Sequence, residues 1–572
     1  MRTLPLLTVL AAFTLAAFSR AENVAKAALP APDADNGGLL LPPGFRALVF
    51  ADNLVADRKA GSRSDNLRFI AVAPNGDVYA KTKRGPILAL RDSDGDGRAD
   101  VVKEFGEGGG SGLLFHDGWL YHSTDKDVYR YKYTPGELVP SSAPERIVAD
   151  LPNQRTHETK SFFFDDTGAL FVETGSPSNS YGGANDRRFG AKGSDATDFL
   201  QIHGGFWRFD PAKPNQKQTD GFHFSTGHRH VVGVAWNPVS KSAFFVMHGR
   251  DNLHDVDPEH YSIADGAELP AEEFHQLKEG LNLGWPYTYF DPLQKVRMVS
   301  PEFGGDGKKR AEAGRYPDPL IAFPAHWAPL QMAYYQGSQF PERYRGGMFV
   351  AFHGSWNRAP LPQRGYNVCF IPFGADGQPS GQYEVFADNF AGRSNFTSPG
   401  DALYRPGGVA VGPDGSLYIA ETEKGRIWRV IYVGDKAVAS APGRAAAGAT
   451  DRGTAQTSSP KWAAGNEPGK ALFAQLCAAC HMADGTGVPN MQPSLVDSPV
   501  VRGDPMTLAR VILHGPAAVL PADRPKFSNV MPGFAPVLTD PQVADLASFL
   551  RQVFGQGDVV TSAQAAAARK QP

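Results

Sequence analysis

Cysteine is almost absent from this chain: three occur in 572 residues, Cys369, Cys477 and Cys480. Two of these share one short motif, so no disulfide framework holds the fold together. Cys369 lies in a stretch of strand formers and reads as a buried, inert thiol. A charge excess is also missing. Lys and Arg total 57 against 60 Asp and Glu, a net charge of −3. That balance excludes nucleic acid and acidic membrane surfaces as natural partners. Beyond the first residues no apolar run reaches the roughly 20 residues of a membrane-spanning helix. Sustained helical periodicity is missing from most of the chain, whereas glycine and proline are plentiful, 62 and 46, which marks a turn-rich architecture.

The N-terminus supplies a compartment. Arg2 precedes an apolar run over residues 4–18, and Ser19, Arg20 and Ala21 offer small residues at a cleavage point. This is the pattern of a secretory signal peptide over 1–21, so the mature chain is expected in the periplasm. Residues 435–465 are dominated by Ala, Gly, Ser, Thr and Pro and read as a flexible linker. They divide a long first part, 39–434, from a short second part, 466–555. An Ala-rich tail, 556–572, is expected to fray.

The first part repeats. Residues 69–80 (FIAVAPNGDVYA), 408–419 (GVAVGPDGSLYI) and 161–172 (SFFFDDTGALFV) each read as strand, turn and strand. Residues 113–121 add a turn at Gly118, and two weaker copies place turns near Ser242 and Gly347, beside those at Gly76, Gly168 and Gly415. Glycine permits the positive φ of tight hairpins. Six such units without helical periodicity predict an all-β six-bladed propeller. A β-solenoid would have shorter and more even repeats. One loop stands out: Asp92, Asp94, Asp96 and Asp100 surround Gly95 and Gly97. Alternating carboxylates can converge on calcium, although Lys103 occupies the position where an EF-hand has a bidentate Glu.

The second part carries Cys477-Ala-Ala-Cys480-His481, the attachment motif of haem c. Two thiols one helical turn apart can bond the two vinyl groups of one porphyrin edge. The next imidazole then binds iron. A redox dithiol would need a surrounding βαβ pattern, which is missing. Pro468 to Leu476 predicts a short helix into the motif. Thr539 and Gln542 form a capping box, followed by one apolar helical face of Val543, Leu546, Ala547 and Leu550. Together these describe a small all-α cytochrome c domain. Met482 is too close to His481 to be the second axial ligand. Met491, Met506, His514 and Met531 remain, and Met531 is favoured because Pro532 and Gly533 can present its sulfur just before the last helix. Methionine ligation raises the haem potential.

Several motifs stand in order along the first part: 41–45 (LPPGF), His157 before 164–176 (FDDTGALFVETGS), 227–229 (GHR), 248–251 (HGRD), 284–286 (GWP), 326–329 (HWAP), 353–358 (HGSWNR) and 405–409 (RPGGV). This set resembles the soluble pyrroloquinoline-quinone (PQQ) sugar dehydrogenases, the glucose and L-sorbosone dehydrogenase family, over roughly 41–433. The second part is similar to class I cytochromes c. The resemblance implies PQQ and calcium as cofactors. It puts the catalytic base on His157 and the cation beside the quinone on Arg229. Lys160, Arg358 and Arg405 match the groups that hold the cofactor carboxylates, and Gly249 and Arg250 supply backbone carbonyls to calcium. The chemistry suits these residue types: proton removal wants a base near neutrality, and a developing oxyanion wants a fixed cation. His230, where the family usually has Asn, and the glycine loop at 108–112 depart from the glucose-specific pattern.

The expectation is a periplasmic quinohaemoprotein dehydrogenase acting on a sugar, sugar aldehyde or polyol. Electrons would pass through the haem to an external cytochrome, copper protein or quinone pool. A tether raises the local concentration of acceptor near donor. Two alternatives are a metal-dependent hydrolase of the lactonase type and a carbohydrate-binding module that targets a cytochrome.

Overall fold

The computed structural model describes residues 29–55, 66–393, 396–434, 467–477, 481, 485, 493–496, 498–524, 527, 531, 533–555 and 557–571. The expected signal peptide and linker lie outside these residues, as do Cys480, Met482 and Met491.

Six antiparallel sheets follow one another along the first part. Their first strands are Leu67–Val72, Leu113–His116, Phe162–Phe164, Val231–Asn237, Pro329–Tyr334 and Pro406–Val411. These strands pack against those of neighbouring sheets, and Leu67–Val72 also meets Pro406–Val411, which closes a ring. The last sheet borrows its fourth strand from the start of the propeller: Phe45–Ala51 pairs antiparallel with Ile427–Tyr432. This is a six-bladed β-propeller, and the solenoid alternative falls with the closed ring.

Crowding at the ring centre explains particular residues. A Cβ on Gly233 would stand 2.3 Å from the Leu330 carbonyl oxygen, and one on Gly408 would stand 2.8 Å from that of Arg68. Glycine there lets inner strands approach closely. Gln331 joins three blades: its Oε1 accepts from the backbone N–H of Ile70 and Val409, and its Nε2 donates to the Ile70 carbonyl. Second strands such as Val78–Thr82, Leu170–Thr174 and Met348–Phe352 are buried throughout. Sheets covered on both faces read as continuous apolar runs, not as alternation.

All six turns expected from the sequence lie between the first and second strands of a blade. At the fourth, Lys241 takes φ 49°, and Ser242 already begins strand Ser242–Met247. Each hairpin closes at one end of the ring, so residues just before a first strand and just after a second strand gather at the other end. Every blade therefore contributes side chains to one rim. The fourth blade adds an excursion before its last strand, Ile321–Phe323. Within it Leu281–Asn282 runs parallel to Phe222–Thr226 of the third blade.

The second part is helical. Helix α1, Glu467–Leu476, packs on α3, Asp540–Leu550, and α2 is Pro505–His514. Thr539 and Gln542 form the expected capping box, and Val543, Leu546, Ala547 and Leu550 are all buried. Phe473 meets Phe549 and Phe554 with ring centroids 5.4 and 5.1 Å apart. The tail differs from the sequence reading. Residues Ser562–Arg569 form a helix, α4, packed on α2 and α3. Thr561 caps it, and Ala565 and Ala568 are fully buried. An alanine-rich run lacks large apolar side chains, but small ones let a helix approach neighbours closely, and alanine has the highest helix propensity.

Candidate functional site

His157 precedes the first strand of the third blade, in the left-handed region at φ 54°, which histidine tolerates better than most residues. Its position is over-determined. Gln154 Nε2 donates to the carbonyls of His157 and Gly175. The His157 Nδ1 lies 2.6 Å from the Ser176 carbonyl oxygen. A carbonyl only accepts, so Nδ1 carries the proton and Nε2 is left as the basic nitrogen. A Cβ on Gly175 would stand 2.8 Å from the His157 carbonyl and 3.2 Å from the His230 Nδ1. Glycine in the ETGS run is therefore what admits both histidines. His230 stacks on His157 at 4.6 Å between centroids and meets His248 at 4.9 Å. Burial, and then the nearby Arg229, hold the His157 imidazole well below its ordinary value. It is neutral at neutral pH and a weaker base than a free histidine.

Arg229 is 3 % exposed. Its Nε donates to the Asn179 carbonyl at 3.1 Å, and its Nη2 to the Asn179 side chain at 3.0 Å and to Asp251 at 2.6 Å. Its Nη1 donates to no described residue. Asp251 is the hub: it also accepts from Arg187 at 2.9 Å and Asn357 at 2.8 Å. Burial works to raise the Asp251 carboxyl, but Arg229, His326 and Arg187 hold it well below the ordinary range. Trp285, from the GWP element, donates its Nε1 to the same Asn179 carbonyl at 3.0 Å. Asn179 is held in turn by Asp186, which accepts from its backbone N–H at 2.6 Å. Asp186 is lowered to about 2 against burial by Ser178 and by backbone N–H donors.

The other expected cations differ in availability. Lys160 is fully buried, and its Nζ donates to the Glu158 carbonyl at 2.9 Å. Burial lowers it to about 8. Arg405 donates to the carbonyls of His353 and Gly354 and to the His353 Nδ1, and it pairs with Glu423 at 3.4 Å. Guanidinium has no acceptor, so His353 accepts at Nδ1 and donates through Nε2 to Thr422. Arg358 is 1 % exposed and committed elsewhere, to Glu268 at 2.6 Å and to the Pro362 and Ala267 carbonyls. Its donors are engaged by these protein acceptors. Sequence reasoning missed Arg68, which begins the first blade. Its half-buried guanidinium makes no hydrogen bond or ion pair with any described residue, though it feels Glu158, Arg405 and Glu423. No motif signals it, because an arginine entering a strand reads as an edge charge.

Gly249 and Arg250 follow the second strand of the fourth blade. Gly249 donates its N–H to Glu272, and the Arg250 side chain pairs with Glu302. No described donor reaches either carbonyl oxygen, so both could coordinate a hard cation. In the acidic loop, carboxylate oxygens of Asp92, Asp94 and Asp96 lie within 4.8 Å of one another. Asp100 stands outside that group, with both carboxylate oxygens accepting from Ser93.

In the helical part, Cys477 and His481 are buried, and the His481 N–H donates to the Cys477 carbonyl at 2.8 Å. One helical turn thus separates thiol from imidazole. His481 Nδ1 lies 2.9 Å from the Pro493 carbonyl, which fixes the tautomer and frees Nε2 for iron. Met531 is half-buried and packs on the same core, as does Met506. His514 points its Nε2 at the Ala568 carbonyl, which takes it out of the ligand candidates. The residues present fit a haem.

Residues 110–433 match the family described as TrAA12-like, and residues 466–554 match cytochrome c. The cytochrome c subunit of the quinone alcohol dehydrogenase from Gluconobacter oxydans is 43% identical over 15% of this chain and 18% of its own. The pyrroloquinoline quinone-dependent pyranose dehydrogenase of Coprinopsis cinerea is 29% identical over 28% of this chain and 24% of its own. The chain spans less than half the length of the curated relatives it matches. Among solved structures, the calcium form of a carbohydrate-active enzyme of family AA12 from Trichoderma reesei superposes with a TM-score of 0.55 at 20% identity, covering 69% of this chain and 97% of that one. The propeller fold and the match across more than half of the sequence place this chain in the TrAA12-like family, with a cytochrome c domain following in the same polypeptide.

Proposed function

We propose that this chain is a periplasmic PQQ-dependent quinohaemoprotein dehydrogenase. It oxidises a sugar, sugar aldehyde or polyol at the propeller rim and passes electrons through covalent haem c to an external acceptor. One observation carries the reading: a neutral histidine whose Nε2 has no described partner stands beside Arg229, whose Nη1 has none either. The named relatives in Gluconobacter and Coprinopsis support it. The attachment motif, whose haem is added after export, supports the compartment together with the expected signal peptide. Among the described residues no helix is long and apolar enough to cross a membrane.

When bound, PQQ supplies a quinone able to take hydride from carbon, and haem c supplies a one-electron acceptor. The protein's own residues do the rest. His157 Nε2 accepts the proton of the substrate hydroxyl, a role worth roughly 100-fold or more in rate. Arg229, fixed by Asn179 and Asp251, presents Nη1 to the oxygen on which negative charge develops. Arg68 and Lys160 hold carboxylates, with Arg405 beside them. The Gly249 and Arg250 carbonyls hold calcium. Cys477 and Cys480 bind the porphyrin, and His481 and Met531 bind its iron. A lactonase-type site would need rim carboxylates free to gather around a metal. Here Asp251 is engaged by two arginines, and Glu272 accepts from the backbone N–H of Gly249 and Ala328.

The test is reduction of the protein's own haem. Apo-protein loaded with PQQ and calcium should bleach its oxidised haem spectrum when an aldose, sugar aldehyde or polyol is added, and should not do so without PQQ. Loaded protein that binds PQQ yet leaves the haem oxidised with every member of the panel overturns the proposal.

A further inference from the structure

We infer that the C-terminal helix α4 is a strap that holds the Met531 segment against the cytochrome core, with Arg569 as the positioning residue that sets the methionine–iron bond and so the haem potential. The inference rests on Met531 as the second axial ligand. Helix α4 lies beyond the stretch that matches cytochrome c, which ends at residue 554.

The segment that leaves Met531 runs to the start of α3 and has two anchors. On one side the N–H groups of Phe534 and Ala535 donate to the Ile512 and Leu513 carbonyls, both 2.9 Å, at the end of α2. Gly533 fits tightly there, since a Cβ would stand 2.6 Å from the Leu513 carbonyl oxygen. On the other side a single guanidinium reaches three acceptors of the same segment. Arg569 Nη1 donates to the Ala535 carbonyl at 2.6 Å, Nη2 to the Leu538 carbonyl, and Nε to the Asp540 carboxylate at 2.6 Å. Only arginine has a planar fork that can fill three acceptors at once. Those two carbonyls immediately precede α3.

Helix α4 cannot shift without disturbing this. Ala565 and Ala568 are fully buried against α2 and α3. Arg510 donates to the Gln571 carbonyl at 2.9 Å, and His514 reaches the Ala568 carbonyl at 3.3 Å. The strap therefore ties the last turn of α2, the Met531 segment and the start of α3 into one body. A thioether is a weak, neutral ligand whose hold on iron depends on being placed there. Pre-organisation of its segment shifts the balance toward the bound state. Loosening the segment should free the sulfur first in the ferric protein and lower the potential, because methionine ligation is what raises it.

The experiment compares Arg569→Gln and Arg569→Lys with the unaltered full-length holoprotein. The readouts are the red absorption band of thioether-bound ferric haem, imidazole titration of the ferric iron, and the midpoint potential. Arg569→Gln should lose most of the band at neutral pH and bind imidazole at least tenfold more tightly. Its potential should fall by about 59 mV for each tenfold loss of preference for ferrous over ferric iron, the one-electron conversion. Arg569→Lys, which keeps the charge beside Asp540 but not the fork, should fall between. If Arg569→Gln fails to retain haem, the lysine variant is read alone and must move in the same direction. An unchanged band, imidazole affinity and potential in a folded Arg569→Gln protein overturn the strap. Met531→Ala separates the two claims. If it leaves the band intact, the ligand reading fails; if it abolishes the band while Arg569→Gln does not, only the strap fails.

Discussion

Asp251→Asn is the sharpest structural perturbation the rim offers, because it removes charge and changes little volume. The carboxylate accepts from Arg229 at 2.6 Å, Arg187 at 2.9 Å and Asn357 at 2.8 Å. Breaking a buried ion pair by neutralising one partner costs about 3–5 kcal/mol, since the other charge is left uncompensated. Two features move this case to the low end. Arg187 has a side chain 41% exposed and can turn to water, and Asn179 still accepts two of the Arg229 donors. The expected loss is about 3 kcal/mol, read as a shift in the urea midpoint at pH 7 by tryptophan fluorescence with the slope unchanged. The sign follows from the Asp251 carboxyl, held below its ordinary 3.8. Its contribution is present above that value and lost as pH falls through the folded value, so pH 7 sees it whole. Adding Arg229→Met should recover part of the loss, because removing both charges leaves nothing unpaired. A loss under about 1 kcal/mol, within the range of an exposed pair, or strict additivity in the double variant, would refute the claim that Arg229 depends on Asp251.

Other outcomes follow from the same geometry. His157→Ala should lower turnover by roughly 100-fold while PQQ binding, followed by fluorescence quenching, persists; unchanged turnover removes His157 from the chemistry. Arg68→Gln should weaken PQQ binding about tenfold or more, the usual size of one charge-assisted hydrogen bond, and equal affinity would show that its guanidinium points elsewhere. Stopped-flow haem reduction after substrate addition should be first order and independent of enzyme concentration, and a rate that scales with concentration places the transfer between molecules. Finally, burial holds His157, His230 and His353 well below their ordinary value of 6.5 and His248 down to about 4. The unfolded chain therefore takes up protons first. Burial also raises Glu272 to about 7, Asp388 to about 6, and Glu173 and Glu421 above their ordinary value, which opposes this. But His122, His228 and His275 are lowered as well, so the histidines outnumber the carboxyls. Stability of the PQQ-free protein should fall from pH 6.5 to 5 by about 1.4 kcal/mol per pH unit for each net proton. A flat urea midpoint across that window would mean that the histidines are not buried neutral.

The propeller was legible because its hairpins are local. Gly76, Gly118, Gly168 and Gly415 mark turns within a few residues of the strands they join, and each falls between a first and a second strand. The helix before Cys477 and the Thr539 capping box are local for the same reason. The rim was legible only in part, because its partnerships cross blades. Arg229 and Asn179 are 50 residues apart, and Asn357 and Asp251 are 106 apart. No spacing rule connects them. The tail was misread because composition was weighed without its partners: alanine reads as fraying until Arg569 and the surfaces of α2 and α3 are in view.

The same cross-blade view orders the cations that a sequence can only count. A guanidinium whose donors are already filled by protein acceptors shapes the local field, but it cannot take a new carboxylate without breaking something. Arg358 and Arg250 are of that kind, fixed to Glu268 and Glu302. Arg405 is held as well, by His353, Gly354 and Glu423. Arg229 keeps Nη1 and Arg68 keeps its whole guanidinium clear of described partners. An unpaired, half-buried cation is costly to the fold, and that cost is offset only when an anion arrives. Arg229 is tied to Asp251 and the fold, so Arg68 is the one whose substitution should separate cofactor affinity from folding. Arg68→Gln should remove a charge that has no described partner and leave the PQQ-free protein at least as stable as before, while the loaded protein loses the extra stability that ligand binding confers.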